Sequence, residues 1–281
     1  PHVRPKLTSR PLAHILDEVQ RLAAAGHSEV VLTGIHLGHY GVDWNRNKPK
    51  EEWIRLAHLI RDLCSLPGNF RIRLSSIEAT EVTRELIAVM SDHADRIVPH
   101  LHLCLQSGSD SVLRRMRRRW GTRMFLDRCR LLRESLRMPA ITTDVIVGFP
   151  GETEAEFQQT LETCRDAGFS KIHAFPFSQR KGTPAAEMTN QVSKQLRTER
   201  MQRLGQLETE LRENYYCSLV GSREQLLVES AETACDGGTL LRGTTARYAP
   251  AELLRYEAVP EAGSLVDVDV QSADGNRLVV R

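Results

Sequence analysis

The sequence predicts an α/β protein built on a parallel sheet, followed by a small all-β barrel of the OB kind. Three observations predict it. Short apolar runs alternate with helical patterns through residues 1–212, the pattern of strand–helix–strand units with right-handed crossovers, in a sheet either open or closed into a barrel. Each of the five apolar runs ends in a cluster of Gly, Ser, Thr or other polar residues, where such sheets gather their chemistry. After residue 217 the beat shortens to five brief strands separated by turn signals, which fits a small barrel.

The elements follow in order. A helix is expected over 11–25, with Pro11 at its start and Gly26 just past its end. Val30–Leu32 is the first strand, closed by Thr33 and Gly34. A helix around 50–64 leads to the strand Arg71–Leu74, closed by Ser75 and Ser76, and Thr80 reads as the cap of a helix over 81–91. The strand Leu101–Leu105 ends at Gln106–Ser109; helices over 110–118 and 123–136 follow, the second with Thr122 as its cap. Ile141–Val147 is the fourth strand, ended by Gly148–Glu152. Thr153 and Glu156 then form a capping box for a helix that stops at Gly168. The fifth strand, Lys171–Phe175, runs out into Pro176–Thr183, and a long charged helix over about 191–216 closes this part. The tail strands are expected at 225–230, 239–247, 253–258, 264–270 and 277–281, with turns at Asp236–Gly238 and Asp274–Asn276. The division places one domain at 1–212 and a second at 213–281.

Composition sets the limits. At 41% hydrophobic and 26% charged, the chain is ordinary for a globular protein. No run approaches the roughly 18 apolar residues of a membrane span, and no signal peptide opens the chain, so the expectation is cytoplasmic, with no membrane partner. The first residue is Pro1, which reads as the start of a cropped or processed piece. The six cysteines show no Cys-x2-Cys or Cys-x3-Cys spacing and read mostly as buried thiols. Residues 213–281 carry 6 Lys/Arg against 11 Asp/Glu, leaving 32 against 25 in residues 1–212. The larger part is basic, and the tail is acidic.

Four segments carry candidate chemistry, each with a plainer reading beside it. In 144–153 a buried strand delivers Gly148 and Gly151 to a helix start, where bare backbone and free amides can approach a polar or anionic ligand; the alternative is a simple Gly-rich turn. In 100–109, His102 and Gln106 stand four apart on one face of a strand, facing either a ligand or each other in a hydrogen-bonded core pair. Arg180 follows the last strand, where its fork can grip a carboxylate or phosphate, or simply be solvated. The run Arg114, Arg115, Arg117, Arg118, Arg119, with Trp120 at its end, is either a phosphate-contacting patch with an aromatic for stacking or a solvated helix face anchored by its Trp.

Taken together, Leu32–Gly38, Arg71–Glu78, His100–Asp110, Thr143–Thr153 and Phe175–Ala185 resemble the MiaB-like methylthiotransferases, which are radical S-adenosylmethionine enzymes. Within that family the sequence is most similar to the branch acting on tRNA threonylcarbamoyladenosine, and Thr33–Gly38 is the segment that separates the branches. The tail is similar to a TRAM domain, with Gly243–Tyr248 at its Gly-x-Thr-x-x-Tyr pattern.

The resemblance implies a partial (β/α)6 radical-SAM barrel lacking its first strand, since five strands are counted where the family has six. The cluster-binding Cys-x3-Cys-x2-Cys loop would lie immediately before Pro1, so the chain as given is expected to hold no metal and to be inactive by itself. In the complete enzyme, a 4Fe-4S cluster cleaves S-adenosyl-L-methionine to a radical that abstracts hydrogen from carbon 2 of the modified adenosine beside the anticodon. A second cluster supplies sulfur, and flavodoxin or ferredoxin supplies electrons. Gly34 would meet the methionine end of the cofactor. Ser75, Ser76, His102 and Gln106 would line the cleft, Asp144, Ile146 and Gly148 would flank the adenine, and Phe175, Phe177 and Arg180 would close the far side. No residue is assigned a catalytic role. Arg114–Trp120, with Arg242, Arg247 and Arg255 of the tail, are the candidate tRNA contacts, although an acidic tail opposes phosphate binding. Two competing readings are another radical S-adenosylmethionine enzyme, such as the ribosomal-protein methylthiotransferase or a HemN-like oxidase, and a non-catalytic RNA-binding relic.

Overall fold

The computed structural model describes residues 6–233, 239–254 and 260–281. The first part alternates helix and strand: α1 (Leu12–Ala24), β1 (Glu29–Leu32), α2 (Leu56–Cys64), β2 (Arg71–Leu74), the short β3 (Ser76–Ile77), α3 (Arg84–Asp92) and β4 (His100–Leu103). Then come α4 (Asp110–Arg115), α5 (Thr122–Ser135), β5 (Ala140–Val147), α6 (Glu154–Ala167), β6 (Lys171–Pro176), α7 (Pro184–Glu187) and α8 (Lys194–Ser218). All five expected strands form.

β1 pairs with β2, and β3, β4, β5 and β6 pair in that order, every pair parallel. A single bridge, Ile72 to Ile97, joins the two sets. Spatial order therefore follows chain order. With right-handed crossovers this places the helices on one side, as in the wall of a barrel and unlike a doubly wound sheet. The helices pack apolar stripes on that side: Leu59, Ile60 and Leu63 from α2, Phe125, Cys129 and Leu132 from α5, and Phe157, Leu161 and Cys164 from α6.

Two expected caps move. Thr83, not Thr80, caps α3 by accepting the Leu86 amide at 3.1 Å, because Ala79–Glu81 forms a 3-10 turn that uses up the preceding residues. Thr122 is the first residue of α5, and its amide donates to Asp110 Oδ1 at 2.7 Å. The expected helix around 50–64 begins only at Leu56, after a separate 3-10 turn at Lys50–Glu52. The capping box at Thr153 and Glu156 forms in both directions, and Gly168 ends α6 at a left-handed φ of 56°.

The tail is a closed five-stranded barrel, β7 (Arg223–Thr233), β8 (Thr239–Thr245), β9 (Pro250–Leu254), β10 (Leu265–Ala273) and β11 (Leu278–Val280), in the spatial order β10-β11-β9-β8-β7. Leu226, Val228, Leu241, Ala251, Leu253, Val268, Val270 and Leu278 fill it. Gly243 is required here, because a Cβ would stand 2.0 Å from the Leu227 carbonyl oxygen. The expected turn at Asp236–Gly238 lies outside the described residues; Gly275 makes the other turn with a φ of 78°.

The tail barrel docks on the amino ends of the parallel strands. Arg71 and Arg73 of β2 are both buried and share the carboxylate of Glu29 in β1, at 2.6 and 2.7 Å. Their remaining donors meet tail carbonyls: Arg71 reaches Gln225 at 2.7 Å and Thr244 at 3.1 Å, and Arg73 reaches Ala246 at 3.1 Å and Thr245 at 3.2 Å. Burial raises the Glu29 pKa, but the hydrogen bond and charge of Arg73, joined by Arg71, outweigh it, so this carboxyl lies below its ordinary range. Arg247 answers from the tail, donating to Met138 O at 2.8 Å and Arg137 O at 3.0 Å while pairing with Glu224. α8 belongs to both cores: Leu204 and Leu207 pack with the first, Tyr216 with the second.

Candidate active site

Successive side chains of a strand point to opposite faces. Here one face is apolar, with Leu101, Leu103, Ile141, Val145, Val147 and Ile172 buried under the helices. The other is polar along its length: Glu29, Arg71, Arg73, His100, His102, Thr142, Asp144, Lys171 and His173, with Cys104 just past β4. Parallel strands buried on both sides are ordinarily apolar throughout. A polar inner face marks a lumen.

The lumen is electrostatically graded. Thr142 Oγ1 sits between His100 Nε2 at 3.1 Å and His102 Nδ1 at 3.0 Å. Burial, reinforced by the Arg73 charge, drives the His100 pKa well below its ordinary value, so that ring is neutral. His102 goes the other way. Burial opposes its charge, but hydrogen bonds with Asp144 and Cys104 overcome that and raise it to about 9. Its Nε2 lies 3.4 Å from Asp144 Oδ2. Burial raises Asp144 in turn, and the His102 contact outweighs it, leaving that carboxyl lowered. His173 lies tilted beside His102 with ring centres 5.7 Å apart and is lowered, first by burial and then by the His102 charge. At neutral pH the upper lumen holds an imidazolium–carboxylate pair beside a neutral imidazole.

Strand register brings several expected residues together. Ser76 pairs with His102, Ile146 with Phe175, and Gln106 bridges to Val145 at the end of β4. Gln106 holds a left-handed φ of 69°, and its backbone exchanges hydrogen bonds with Asp144 O at 2.8 Å and Ile146 N at 2.9 Å. A non-glycine residue in that region costs about 1–3 kcal/mol and persists only where its surroundings impose it. Ser75 Oγ is buried with no hydrogen-bond partner. That orphaned hydroxyl, the charged His102–Asp144 pair and the half-buried Ile146 offer both polar and apolar groups to a ligand.

Other expected residues stand apart. Gly34, Phe175 and Arg180 are exposed at the rim, and Phe177 packs edge-on against Phe149 with centres 5.3 Å apart. The glycine turn is more occupied than its sequence implies. The Gly148 amide donates to Glu152 Oε2 at 2.7 Å, the Gly151 amide to Asn190 O at 2.6 Å, and the Thr153 amide to Glu156 Oε2 at 2.8 Å. Glu152 is itself buried against Arg200 at 2.9 Å. The expected anion cradle at this turn is filled by two of the protein's own carboxylates and the Asn190 carbonyl.

The basic run divides. Arg114, Arg117 and Arg119 are exposed. Arg115 instead holds Glu156 through two hydrogen bonds of 2.9 Å, and Arg118 lies 3.7 Å from Glu78. Trp120, read either as free for stacking or as the anchor of the run, is buried at 4% exposure in the first core, with Arg118 over its ring, and so anchors it. Arg247 is likewise a strut between the two barrels and not a free contact. Arg242 is exposed but paired with Glu232 at 2.8 Å and Glu252 at 2.9 Å; Arg255 lies outside the described residues.

Sequence reasoning missed His173, Thr142 and Cys104. The signal was present as polar residues at alternate positions, 100/102/104, 142/144 and 171/173, inside otherwise apolar runs. Cys64, Cys129 and Cys164 are buried as read, whereas Cys104 is half-buried in the lumen and Cys217 is exposed. Among the described residues no three cysteines share a site, so they do not fit an iron–sulfur cluster.

The sequence pattern of the Radical SAM superfamily matches residues 1–164. The chain is 41% identical over 249 residues to the threonylcarbamoyladenosine tRNA methylthiotransferase MtaB of Bacillus subtilis, covering 88% of this chain and 53% of that protein. It is 36% identical over 292 residues to a tRNA-2-methylthio-N(6)-dimethylallyladenosine synthase of Mycobacterium marinum, covering 99% of this chain and 54% of that one. The chain thus spans about half the length of the curated relatives it matches. Among solved structures, coproporphyrinogen III oxidase of Escherichia coli, described as a radical SAM enzyme, superposes with a TM-score of 0.50 at 13% identity, over 86% of this chain and 62% of that one. A singly wound parallel wall, a polar lumen and a sequence match over more than half its length lead to one assignment: the chain belongs to the Radical SAM superfamily.

Proposed function

We propose that this chain is the cofactor-binding part of a tRNA methylthiotransferase that acts at carbon 2 of N6-threonylcarbamoyladenosine beside the anticodon. The 41% identity with a threonylcarbamoyladenosine enzyme over 88% of the chain is the observation that carries the reading. The open, polar carboxyl end of the lumen supports it. Residues 1–212 form the partial radical-SAM barrel, and 213–281 form a TRAM-like module. The enzyme is cytoplasmic and takes electrons from a flavodoxin or ferredoxin; among the described residues no helix is long and apolar enough to cross a membrane.

S-adenosyl-L-methionine, when bound against a 4Fe-4S cluster held outside this chain, supplies the radical chemistry. The residues here bind and orient. Gly34 and Ser75 Oγ face the methionine end, and Ile146 and Gln106 flank the adenine. Gly148 shapes that wall by its turn, its amide being committed to Glu152. The His102–Asp144 pair holds a fixed proton between Nε2 and Oδ2 and sets a charged, pre-oriented wall beside the ligand. Phe175, exposed at the rim, covers the base and excludes water. Arg114, Arg117 and Arg119 contact tRNA phosphates.

The test is nucleoside mass spectrometry on tRNA from a strain lacking its methylthiotransferases and supplied with the full-length gene product. A methylthio group gained on threonylcarbamoyladenosine is expected. Gain on dimethylallyladenosine alone would move the assignment to the second group of relatives, which match 99% of this chain. No gain on either would overturn the reading. The 281-residue chain alone, reconstituted anaerobically with iron and sulfide, is expected to hold no 4Fe-4S cluster by iron counting and electron paramagnetic resonance.

A further inference from the structure

A second group of ligating side chains lies beside the lumen's mouth, in the segment between β1 and α2. His36 precedes the 3-10 turn Leu37–His39, and His39 is its last residue. Residues three apart eclipse each other in that geometry, and the two rings stack with centres 5.2 Å apart and planes 29° apart. Facing them is Glu81, the last residue of the 3-10 turn Ala79–Glu81, with a side chain only 4% exposed.

The two oxygens of Glu81 are treated differently. Oε2 accepts the Glu78 amide at 3.0 Å. Oε1 is buried, receives no hydrogen bond, and stands 3.3 Å from His39 Nε2. A buried carboxylate oxygen without a donor is costly, and a cation is the group that relieves it. Gly38 makes this position reachable: a Cβ there would come within 2.4 Å of both Glu81 Cβ and Oε2. One ligand atom from each of His36, His39 and Glu81 lies within 4.8 Å of the others.

We propose that His36, His39 and Glu81 bind one divalent transition-metal ion of the zinc class. Two imidazoles and a carboxylate are a zinc donor set, and tetrahedral bonds of about 2.0–2.1 Å put ligand atoms roughly 3.3 Å apart. The His39–Glu81 pair already has that separation. His36 is exposed and free to swing its ring the remaining distance. Three protein ligands leave a fourth position open to water or a ligand oxygen, two residues beyond Gly34 at the rim of the cleft. The lumen's own trio of His102, Cys104 and Asp144 meets the same distance criterion. It is a poorer host, because both His102 nitrogens are engaged, by Thr142 and Asp144.

The experiment needs neither tRNA nor the iron–sulfur cluster, so its failure would leave the tRNA reading untouched. Metal-free 281-residue chain is titrated with cobalt(II), followed by its visible d–d absorption, and the cobalt is then displaced with zinc. One equivalent in a four-coordinate spectrum is expected. His36→Ala, His39→Ala and Glu81→Gln should each weaken binding by at least about 10-fold, with His102→Ala at the wild-type value. Gly38→Ala, which displaces Glu81 without removing a ligand, should weaken it as well. Circular dichroism of each variant separates lost ligands from lost folding. No stoichiometric binding, binding indifferent to the three ligand substitutions in folded protein, or binding lost on His102→Ala would each overturn the proposal.

Discussion

The two ends of the lumen are both lined by polar side chains and behave oppositely. At the amino end Arg71, Arg73 and Glu29 are closed: their forks are spent on one carboxylate and four tail carbonyls. At the carboxyl end Ser75 Oγ has no partner, Gln106 is held in a left-handed conformation, and Asp144 is half-buried beside a charged His102. The Arg71, Arg73 and Glu29 groups are satisfied and structural, whereas Ser75 Oγ is left open to a partner. The tail barrel is what makes the difference, because it covers one end only.

The largest way to break that contrast is at the closed end. Glu29→Ala leaves two buried guanidiniums without their anion and should cost about 3–5 kcal/mol in urea denaturation. The same carboxyl sets an acid limit. Its folded pKa lies below its unfolded value of 4.5, so its contribution is full above pH 4.5 and fades as pH falls through the folded value. Trp120→Ala should cost about 3–5 kcal/mol as a core truncation, against a change within about 0.5 kcal/mol for Arg119→Ala. In filter binding, Arg119→Ala should instead weaken tRNA affinity and reduce the salt slope by about 1. Gly243→Ala, which drives a methyl into the Leu227 carbonyl, should cost about 1–3 kcal/mol in thermal melts.

At the open end the effects are smaller in stability and sharper in titration. His102 should titrate by nuclear magnetic resonance near pH 9, and Asp144→Asn should bring it down toward the ordinary 6.5. Since its folded pKa is raised, the pair stabilises fully below pH 6.5 and loses that contribution as pH rises through about 9. A midpoint near 6.5 in the unaltered protein would remove the charged pair from the account of the site.

Much of this could be read from the sequence, and the failures share a cause. Strand runs such as Ile141–Val147 and the cap at Thr153 are local, and they form where expected. Arg71, Arg73 and Arg247 are decided by another part of the chain more than 100 residues away. Nothing near them in sequence distinguishes a strut from a solvated arginine. Trp120 is the same case, since its burial depends on how the segment before α5 folds back on the first core. The occupied amides at Gly148 and Gly151 were hidden because Glu152 and Asn190, which fill them, look in sequence like ordinary turn residues.

α8 runs for 25 residues without a break, about 37 Å at 1.5 Å per residue, and its middle and its carboxyl end are rooted in different hydrophobic interiors. A rod anchored in both barrels leaves the tail no hinge to swing on. The tail is therefore held at a set distance and angle from the open end of the lumen, and the helix fixes that spacing as a ruler would.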